Sequence, residues 1–338
     1  MRQEIDVNVT LKPNAARPSL GANDRVPMTT ASPVASDAAI PPSRYRSVFA
    51  PGLFAGRRLW VTGGGSGIGR AVAHELAALG ADVVISGRSA DKLERVAAEI
   101  REDGGRCTWR AFDIRDDEAV KAQVADVNAA EGVVHGLVNN AGGQFPAPMM
   151  AISKRGFEAV VANNLTGGFL MMRELFLQSF QRHGGAIVNM TADFRNGMPG
   201  MAHSGAARAG MSNLTMTASF EWASYGVRVN AVAPGWIASS GMDTYGGAMR
   251  TLIPQLKRHV PLRRLGLEAE VSAAIVFLLS PAAAFITGVT LQIDGGASLG
   301  SPLFPSVDHD KSVPFDGFHR AVTPEVLRGD EPTRPDAA

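Results

Sequence analysis

The sequence predicts an α/β fold: a single domain built on a doubly wound, mostly parallel sheet of about seven strands. Short apolar runs recur along the middle of the chain, and each is followed by a segment whose apolar residues repeat at helical spacing. Strands that alternate with helices in this way form parallel sheets with right-handed crossovers. Such sheets bind ligands at the carboxyl ends of their strands, so we expect the functional site there.

The first unit sets the pattern for the rest. Residues 59–61 form an apolar run, a glycine-rich turn follows, and the apolar residues of 71–79 lie at helical spacing. Six more runs predict strands at 82–86, 107–112, 136–140, 186–190, 227–232 and 290–293. Helices are expected between them, at about 91–101, 116–130, 156–182, 204–224 and 269–279.

Composition excludes several classes of protein. The chain has 338 residues, 45% of them hydrophobic, which is enough for a large core. Its 33 basic residues nearly balance 32 acidic ones, so charge gives no case for nucleic acid or an anionic membrane. Cys107 is the only cysteine, which excludes an intrachain disulfide and a cysteine-built metal site. No histidine cluster has metal-ligand spacing, and we expect no metal.

Proline divides the chain into three parts, since residues 1–50 and 301–338 each hold six of the 20 prolines. Residues 1–43 lack apolar periodicity and are expected to be a disordered N-terminal extension. The folded domain is expected at 44–300. A C-terminal extension at 301–338 follows, with aromatic side chains apolar enough to lie against a neighbouring surface, including that of another subunit: Phe304, Phe315 and Phe318. No signal sequence or membrane span is recognised, so we expect a cytoplasmic protein.

A glycine-rich segment follows the first predicted strand and opens the first helix, reading Thr-Gly-Gly-Gly-Ser-Gly-Ile-Gly at positions 62–69. Glycines let the backbone approach a diphosphate, and a helix N-terminus offers unpaired N–H groups and a positive dipole. A plain flexible turn is the alternative, but the strand before and the helix after favour a dinucleotide site. The residues expected to hold the cofactor here are Thr62, Gly63, Ser66, Gly67, Ile68 and Gly69.

Two more motifs stand at the ends of predicted strands. Asn139-Asn140-Ala141-Gly142 ends the fourth strand, and Pro234-Gly235 follows the sixth. In this order, and with the glycine spacing before them, the motifs resemble the short-chain dehydrogenase/reductase family over about residues 53–300. The resemblance implies a Rossmann-type fold and a nicotinamide cofactor. It adds to the cofactor site Asn140, Ala141, Gly142, Pro234, Gly235, the backbone of Ile237 and the hydroxyl of Ser239.

The end of the second strand indicates the cofactor. An acidic residue there would bind the adenosine 2′-hydroxyl and repel a 2′-phosphate, but the chain reads Ser86-Gly87-Arg88-Ser89. This favours NADP(H), with the Arg88 guanidinium on the phosphate; a solvated surface arginine is the alternative. In the family, an aspartate placed like Asp113 contacts the adenine amine. Its alternative role is a helix N-cap, for which Asp116 is the better candidate.

The catalytic motif departs from the family. The usual set is Asn, Ser, Tyr and Lys, with Tyr and Lys four residues apart on one helix. Asn164 matches the asparagine, and Thr191 is the hydroxyl nearest the serine position. The alignment places Ser204 at the tyrosine and Arg208 at the lysine.

These replacements have a chemical consequence. Reducing a ketone calls for a well-placed acid, whereas Ser204 is a poor acid. Arg208 stays charged, so it can hold the ribose hydroxyls of the cofactor but cannot relay a proton. Reducing the C=C bond of an enoyl thioester demands less of that acid, because hydrogen-bond donors can stabilise the enolate. Residues 139–146, 203–210, 233–239 and 279–288 also resemble the trans-2-enoyl-CoA reductases of this family, the peroxisomal type included. In related dienoyl-CoA reductases a serine also replaces the tyrosine, but a lysine follows it.

The proton donor stays open. The chain has three tyrosines. Tyr245 lies in the glycine-rich stretch that forms a substrate lid in the family, so it either reaches the thioester or packs within the lid. His203 is either an acid or a packing or surface residue. It stands five residues before Arg208, which places it roughly 140° away around a helix and off the face that carries Arg208.

The leading hypothesis is therefore an NADPH-dependent reductase of 2-enoyl-CoA thioesters. One alternative is a dehydrogenase or reductase of a branched or terpenoid alcohol or aldehyde with the same cofactor site, and another is a non-catalytic NADP-binding protein. The resemblance implies a homo-oligomer, a tetramer, assembled through the helices at 156–182 and 204–224.

Overall fold

Seven parallel strands form the central sheet of the computed structural model, which describes residues 44–299 and 306–328. The sheet order is β3-β2-β1-β4-β5-β6-β9, and a separate parallel pair, β7 and β8, lies outside it. In chain order the strands are β1 (Arg58–Thr62), β2 (Asp82–Gly87), β3 (Arg106–Ala111), β4 (Gly136–Asn139), β5 (Gly185–Met190), β6 (Val227–Pro234), β7 (Ile237–Ala238), β8 (Gly266–Leu267) and β9 (Thr290–Ile293).

Helices cover both faces of the sheet. They are α1 (Gly67–Ala78), α2 (Ala90–Glu102), α3 (Asp117–Ala130), α4 (Lys154–Val161), α5 (Gly167–Leu175), α6 (Gln181–His183), α7 (Ala202–Glu221), α8 (Gly247–Leu252) and α9 (Glu268–Leu279). The predicted Rossmann-type α/β fold is confirmed, and each predicted strand is found with its bounds shifted by two residues at most.

Two apolar cores result from the alternation of side chains along each strand. Leu59 and Val61 of β1 point to a core shared with α1, α2 and α9, while Trp60 points to a core shared with α3, α5 and α7. A strand buried on both faces reads as a continuous apolar run, which is why the short runs in the sequence located the sheet.

The strand order reverses beside β1, because β2 lies on one side of it and β4 on the other. Doubly wound sheets bind their ligands at such a switch point, outside the carboxyl ends of the strands. The glycine-rich loop after β1 and the residues that follow β4 therefore meet at this edge.

The long helix predicted at 156–182 is a continuous helical segment from α4 to α6, with two π-helical stretches at Ala162–Thr166 and Phe176–Phe180. A π-helical turn holds one residue more than an α-helical turn, and such turns are frequent at functional sites. The first of them carries Asn164, which is buried.

Between β7 and β9 the chain forms a segment that we call the lid (residues 239–259). It consists of a 3₁₀ turn at Ser240–Thr244, then α8, then a 3₁₀ stretch at Ile253–His259. The sequence pattern does not predict these helical turns.

The C-terminal residues 306–328, which we call the tail, pack on their own chain. Phe318 is buried against Tyr45, with the Arg70 guanidinium 5.0 Å from its ring centroid. Arg320 forms a salt bridge of 2.7 Å with Asp103 at the end of α2. The expected apolar contact of Phe318 thus falls within this subunit. Phe304 and residues 1–43 lie outside the described residues, and the three-part division of the chain stays a prediction.

No helix within the described residues is long and apolar enough to cross a membrane. The same residues contain no group of three or more His, Cys, Asp or Glu side chains arranged to hold a metal ion.

Candidate active site

Thr62 links the carboxyl ends of β1 and β4 by hydrogen bonds. The Thr62 hydroxyl oxygen accepts hydrogen bonds from the backbone N–H groups of Asn140, at 3.0 Å, and Ala141, at 2.9 Å. In return, the Asn140 amide donates to the Thr62 carbonyl oxygen at 3.0 Å. These mutual bonds fix the start of the glycine-rich loop against the residues that follow β4.

The glycines of the loop allow a close approach of its two ends. Gly63 has a φ of +67°, and a Cβ on Gly69 would lie 2.4 Å from both the Gly63 carbonyl oxygen and the Asn140 amide nitrogen. Helix α1 begins at Gly67, with no acidic residue in its first turn and no side-chain cap from Ser66. Its N–H groups are therefore available to an anion such as a diphosphate. Ile68 follows, half-buried against the first core.

One carboxyl group stands near this cradle. Glu268 begins α9 and is buried, and its Oε1 lies 3.8 Å from the position that a Cβ on Gly67 would take. Burial raises the pKa of Glu268 to about 7. A carboxyl group that is partly protonated near neutral pH repels a diphosphate less than an ordinary carboxylate does.

Charged side chains gather at the ends of β2 and β3. Arg88 is exposed. Asp113 is bound by Arg115, whose Nε donates to Oδ1 at 2.9 Å, and this hydrogen bond holds the pKa of Asp113 below its usual range, with a smaller contribution from the charge of Arg88. Asp116 caps α3 by accepting from the Ala119 N–H, as the sequence predicted. The Asp113 carboxylate thus forms a salt bridge with Arg115, which the sequence pattern does not predict.

Asn164 holds the backbone after β4 in place. Its side chain accepts from the Gly143 N–H at 3.1 Å and donates to the Gly143 carbonyl oxygen at 2.6 Å. It also donates to the Val160 carbonyl oxygen at 2.9 Å. Both protons of the Asn164 amide are therefore donated to backbone carbonyl oxygens, one in this loop and one in α4, which fixes the side chain between the two segments.

Arg208 is the most unusual group at the site. It is buried, its Nη1 donates to the Met190 carbonyl oxygen at 2.6 Å, and its Nε has no hydrogen-bond partner. No carboxylate within the described residues pairs with it. Burial lowers the pKa of Arg208 to about 10, so it remains a cation at neutral pH. A buried cation without a counter-ion is costly, and such groups are retained where a ligand supplies the charge or the acceptor.

Gly142 brings Asn164 and Arg208 together. A Cβ on Gly142 would lie 2.5 Å from the Asn164 Oδ1 and 2.7 Å from the Arg208 Nη2. The predicted glycine therefore separates two predicted catalytic side chains, and no larger residue fits between them.

A hydrogen-bonded chain links Ser204 to the lid. The buried Ser204 hydroxyl donates to the Gln144 Oε1 at 2.7 Å. The Gln144 Nε2 in turn donates to the phenol oxygen of Tyr245 at 3.2 Å. Tyr245 therefore belongs to the site, and the connection runs through a glutamine that the sequence analysis did not select.

Two candidate residues, Thr191 and His203, make their contacts with other parts of the fold. The Thr191 hydroxyl donates to the Val232 carbonyl oxygen of β6 at 2.8 Å, so its proton is used within the sheet. His203 is fully buried; its Nδ1 accepts from the Ser204 N–H, and its ring stands edge-on to Phe145 with centroids 4.5 Å apart. These contacts favour the packing role for His203.

The loop after β6 has the expected position. Gly235 follows Pro234 at the end of the strand, and its N–H donates to the Ile293 carbonyl oxygen at 3.0 Å. Ile237 lies in β7 opposite Gly266, and Ser239 begins the lid. The cofactor contacts expected of these residues stay predictions.

Asp193, just beyond the end of β5, is a further ionisable group near Thr191. Its Oδ1 is buried without a hydrogen-bond partner. Burial, and next the charge of Asp294, raise its pKa. It is therefore a second potential acid at this edge of the sheet.

Comparison with known proteins identifies the family. Residues 63–298 match a family model described as enoyl-(acyl carrier protein) reductase. The chain belongs to the short-chain dehydrogenase/reductase family. The predicted family is thus confirmed, and with it an oxidoreductase that binds a nicotinamide cofactor.

Curated relatives include two 2,4-dienoyl-CoA reductases. The peroxisomal enzyme of Danio rerio is 35% identical over 77% of this chain and 87% of its own length. A probable 2,4-dienoyl-CoA reductase of Bacillus subtilis is 36% identical over 70% of this chain and 94% of its own.

Solved structures of the family give the same fold. A citronellol catabolism dehydrogenase of Pseudomonas aeruginosa PAO1 is 60% identical, with a TM-score of 0.69, over 75% of this chain and 100% of that chain. Levodione reductase is 30% identical, with a TM-score of 0.69, over 73% of this chain and 100% of that one.

Proposed function

We propose that this short-chain dehydrogenase/reductase uses NADPH to reduce the C=C bond of a 2-enoyl thioester of CoA. The observation that carries the proposal is the buried, unpaired cation of Arg208 beside Ser204, where the family has a lysine and a tyrosine. The relatives named 2,4-dienoyl-CoA reductases support the same substrate class.

The residues present fit a nicotinamide cofactor. The glycine cradle at Gly63 and Gly69 leaves no room for a Cβ, and the N-terminus of α1 beyond it carries no acid in its first turn. Arg208 has a buried Nε without a partner, which suits a neutral acceptor such as a ribose hydroxyl. When bound, the cofactor supplies a hydride.

The chain's own groups favour C=C reduction over carbonyl reduction. Adding a hydride to the β-carbon of an enoyl thioester places negative charge on the thioester oxygen. Fixed donors and a permanent cation stabilise such an oxygen without giving up a proton. An alkoxide formed from a ketone must instead receive a proton in the reaction, and neither Ser204 nor Arg208 supplies one readily.

Arg88 is proposed to select NADP(H) over NAD(H). It stands at the end of β2 near Asp113, where the adenosine 2′-phosphate of the cofactor would lie, and guanidinium geometry suits phosphate. We expect Arg88→Ala to raise the KM for NADPH about tenfold and to leave the KM for NADH nearly unchanged. Steady-state kinetics with both cofactors measure this. Arg57→Ala, an exposed arginine just before β1, is the control, and equal losses for the two cofactors would contradict the assignment.

A second function is supported by the 60% identical structure, whose name refers to the catabolism of citronellol, a branched terpenoid alcohol. For this second function, the same cofactor site serves the oxidation of a branched alcohol or the reduction of the corresponding aldehyde. NADPH oxidation with crotonyl-, decenoyl- and 2,4-decadienoyl-CoA, set beside citronellal and a simple ketone, separates the two. Turnover of the thioesters alone supports C=C reduction, and turnover of citronellal alone supports the second candidate.

We also propose that the chain forms a homotetramer through its long helices. The segment from α4 to α6 and helix α7 expose large apolar side chains to solvent in the single subunit, and Phe220 is 87% exposed. Patches of this kind mark interfaces. The others are Phe157, Phe169, Leu177 and Met216. Light scattering is expected to give four times the mass of the chain, and a monomer that stays monomeric at high concentration would contradict this.

A further inference from the structure

We propose that Tyr245, carried on the lid, donates the hydrogen bond that stabilises the enolate oxygen, in place of the tyrosine missing from α7. The inference rests on the proposed function, because it assigns a role in that reaction. It makes a residue of the lid a catalytic residue.

The direction of the hydrogen bonds leaves the Tyr245 proton available. Ser204 donates to the carbonyl oxygen of the Gln144 side chain, and the amide N–H of Gln144 donates to the Tyr245 oxygen. A phenol has one proton, and Gln144 does not take it. Gln144 therefore polarises the Tyr245 O–H as a donor toward a ligand.

The other two tyrosines are committed elsewhere. Tyr45 is buried beside Phe318, and burial raises its pKa far above the usual range. Tyr225 packs edge-on against Phe176 at 5.1 Å, beyond the end of α7. Since the chain has three tyrosines, Tyr245 is the phenol that the structure connects to Ser204.

The lid holds the Tyr245 ring by packing, and the tail takes part in this. Tyr245 and Trp236 lie against a small core of Met242, Ile253 and Leu256, to which Val326 and Leu327 of the tail also belong. The backbone N–H of Val326 donates to the Asp243 Oδ1 at 3.1 Å. A ring anchored on one side and hydrogen-bonded on the other has a defined orientation, as a donor to a transition state requires.

The proposed step adds a hydride and then a proton across the C=C bond. With a nicotinamide cofactor bound, the β-carbon would receive a hydride, the C=C π pair would move to the bond between the α-carbon and the carbonyl carbon, and the carbonyl π pair would move to oxygen. Tyr245 donates a hydrogen bond to that oxygen and keeps its proton. A water molecule then gives a proton to the α-carbon, the hydroxide that is left is neutralised by the solvent, and the carbonyl is restored in the saturated thioester.

The test compares Tyr245→Phe with the wild-type protein on crotonyl-CoA. Losing one oxyanion donor is expected to lower kcat about a hundredfold, with the KM for NADPH unchanged. Tyr225→Phe is the matched control, expected to behave as wild type. Gln144→Leu is expected to lower kcat less than Tyr245→Phe, because it removes the group that orients the phenol but leaves the phenol in place.

A binding measurement gives a readout that does not depend on turnover. Acetoacetyl-CoA forms an absorbing enolate, and the wild-type protein with NADP⁺ is expected to raise the bound enolate fraction, whereas Tyr245→Phe is expected to lose this increase. If wild type reduces crotonyl-CoA and Tyr245→Phe does so equally well, the inference is overturned while the proposed function stands. If Asp193→Asn abolishes turnover and Tyr245→Phe leaves it unchanged, the Asp193 carboxyl is the essential group and the inference is overturned.

Failure of the proposed function gives a different pattern. Turnover of citronellal without turnover of any enoyl-CoA overturns C=C reduction and, with it, the enolate role of Tyr245. Turnover of crotonyl-CoA together with the hundredfold loss in Tyr245→Phe supports both.

Discussion

Replacing Arg208 with alanine is expected to lower kcat/KM for the enoyl thioester by about a hundredfold or more and to weaken the binding of NADP(H). The guanidinium is buried, and within residues 44–299 and 306–328 its hydrogen bond is to the Met190 carbonyl oxygen, so we expect a bound ligand to accept from its other N–H groups. Steady-state kinetics and fluorescence titration of NADPH measure the two losses. Arg208→Lys retains the charge and is expected to recover part of both.

Arg228→Ala is the control for an arginine that is half-buried and bonded to backbone carbonyl oxygens. Arg228 also donates to backbone carbonyl oxygens, those of Leu278, Leu279 and Ser280 at the end of α9, but it lies away from the site. It is expected to lower thermal stability and to leave kcat/KM of the folded enzyme unchanged. An Arg208→Ala variant that lost stability and kept normal kcat/KM would show that Arg208, like Arg228, is structural.

Gly142→Ala is expected to reduce turnover about a hundredfold while the protein stays folded. Its new Cβ would overlap the Asn164 Oδ1 and the Arg208 Nη2, at 2.5 and 2.7 Å. Asn164 is held by three hydrogen bonds and Arg208 is buried, so neither moves without losing its contacts. A displacement of this kind in a site that depends on orientation costs about two orders of magnitude in rate. Kinetics beside circular dichroism measure activity and folding separately.

The neighbouring glycine supplies the control. A Cβ on Gly143 would meet nothing nearer than the Asn163 amide nitrogen at 3.4 Å, an ordinary contact. Gly143→Ala is therefore expected to retain most of the activity. Equal activity in both variants would mean that Asn164 and Arg208 do not need their present separation.

Most of the fold could be predicted because its signals are local. A strand buried on both faces is a short apolar run, and the turn after β1 needs glycines whatever the rest of the chain does. The Asp116 cap and the cradle around Gly63 lie within a few residues of the elements they serve. Asn164 and Arg208, in contrast, are identified by the resemblance of their segments to the catalytic motif of the family.

The rest of the site depends on contacts between distant parts of the chain. Ser204 meets Gln144 across 60 positions, and Gln144 meets Tyr245 across 101. No periodicity signals such a pair, since each residue is unremarkable in its own segment. Thr191 is the opposite case. Its position after β5 predicts a catalytic role, but its hydroxyl donates to the Val232 carbonyl oxygen of the adjacent strand, β6.

The most direct measurement is NADPH oxidation by the purified full chain with crotonyl- and decenoyl-CoA, followed by mass analysis of the acyl product. We predict saturable turnover that yields the saturated thioester, with NADPH strongly preferred to NADH. Tight binding of NADPH without turnover of any enoyl-CoA, or turnover of citronellal alone, would contradict the central claim.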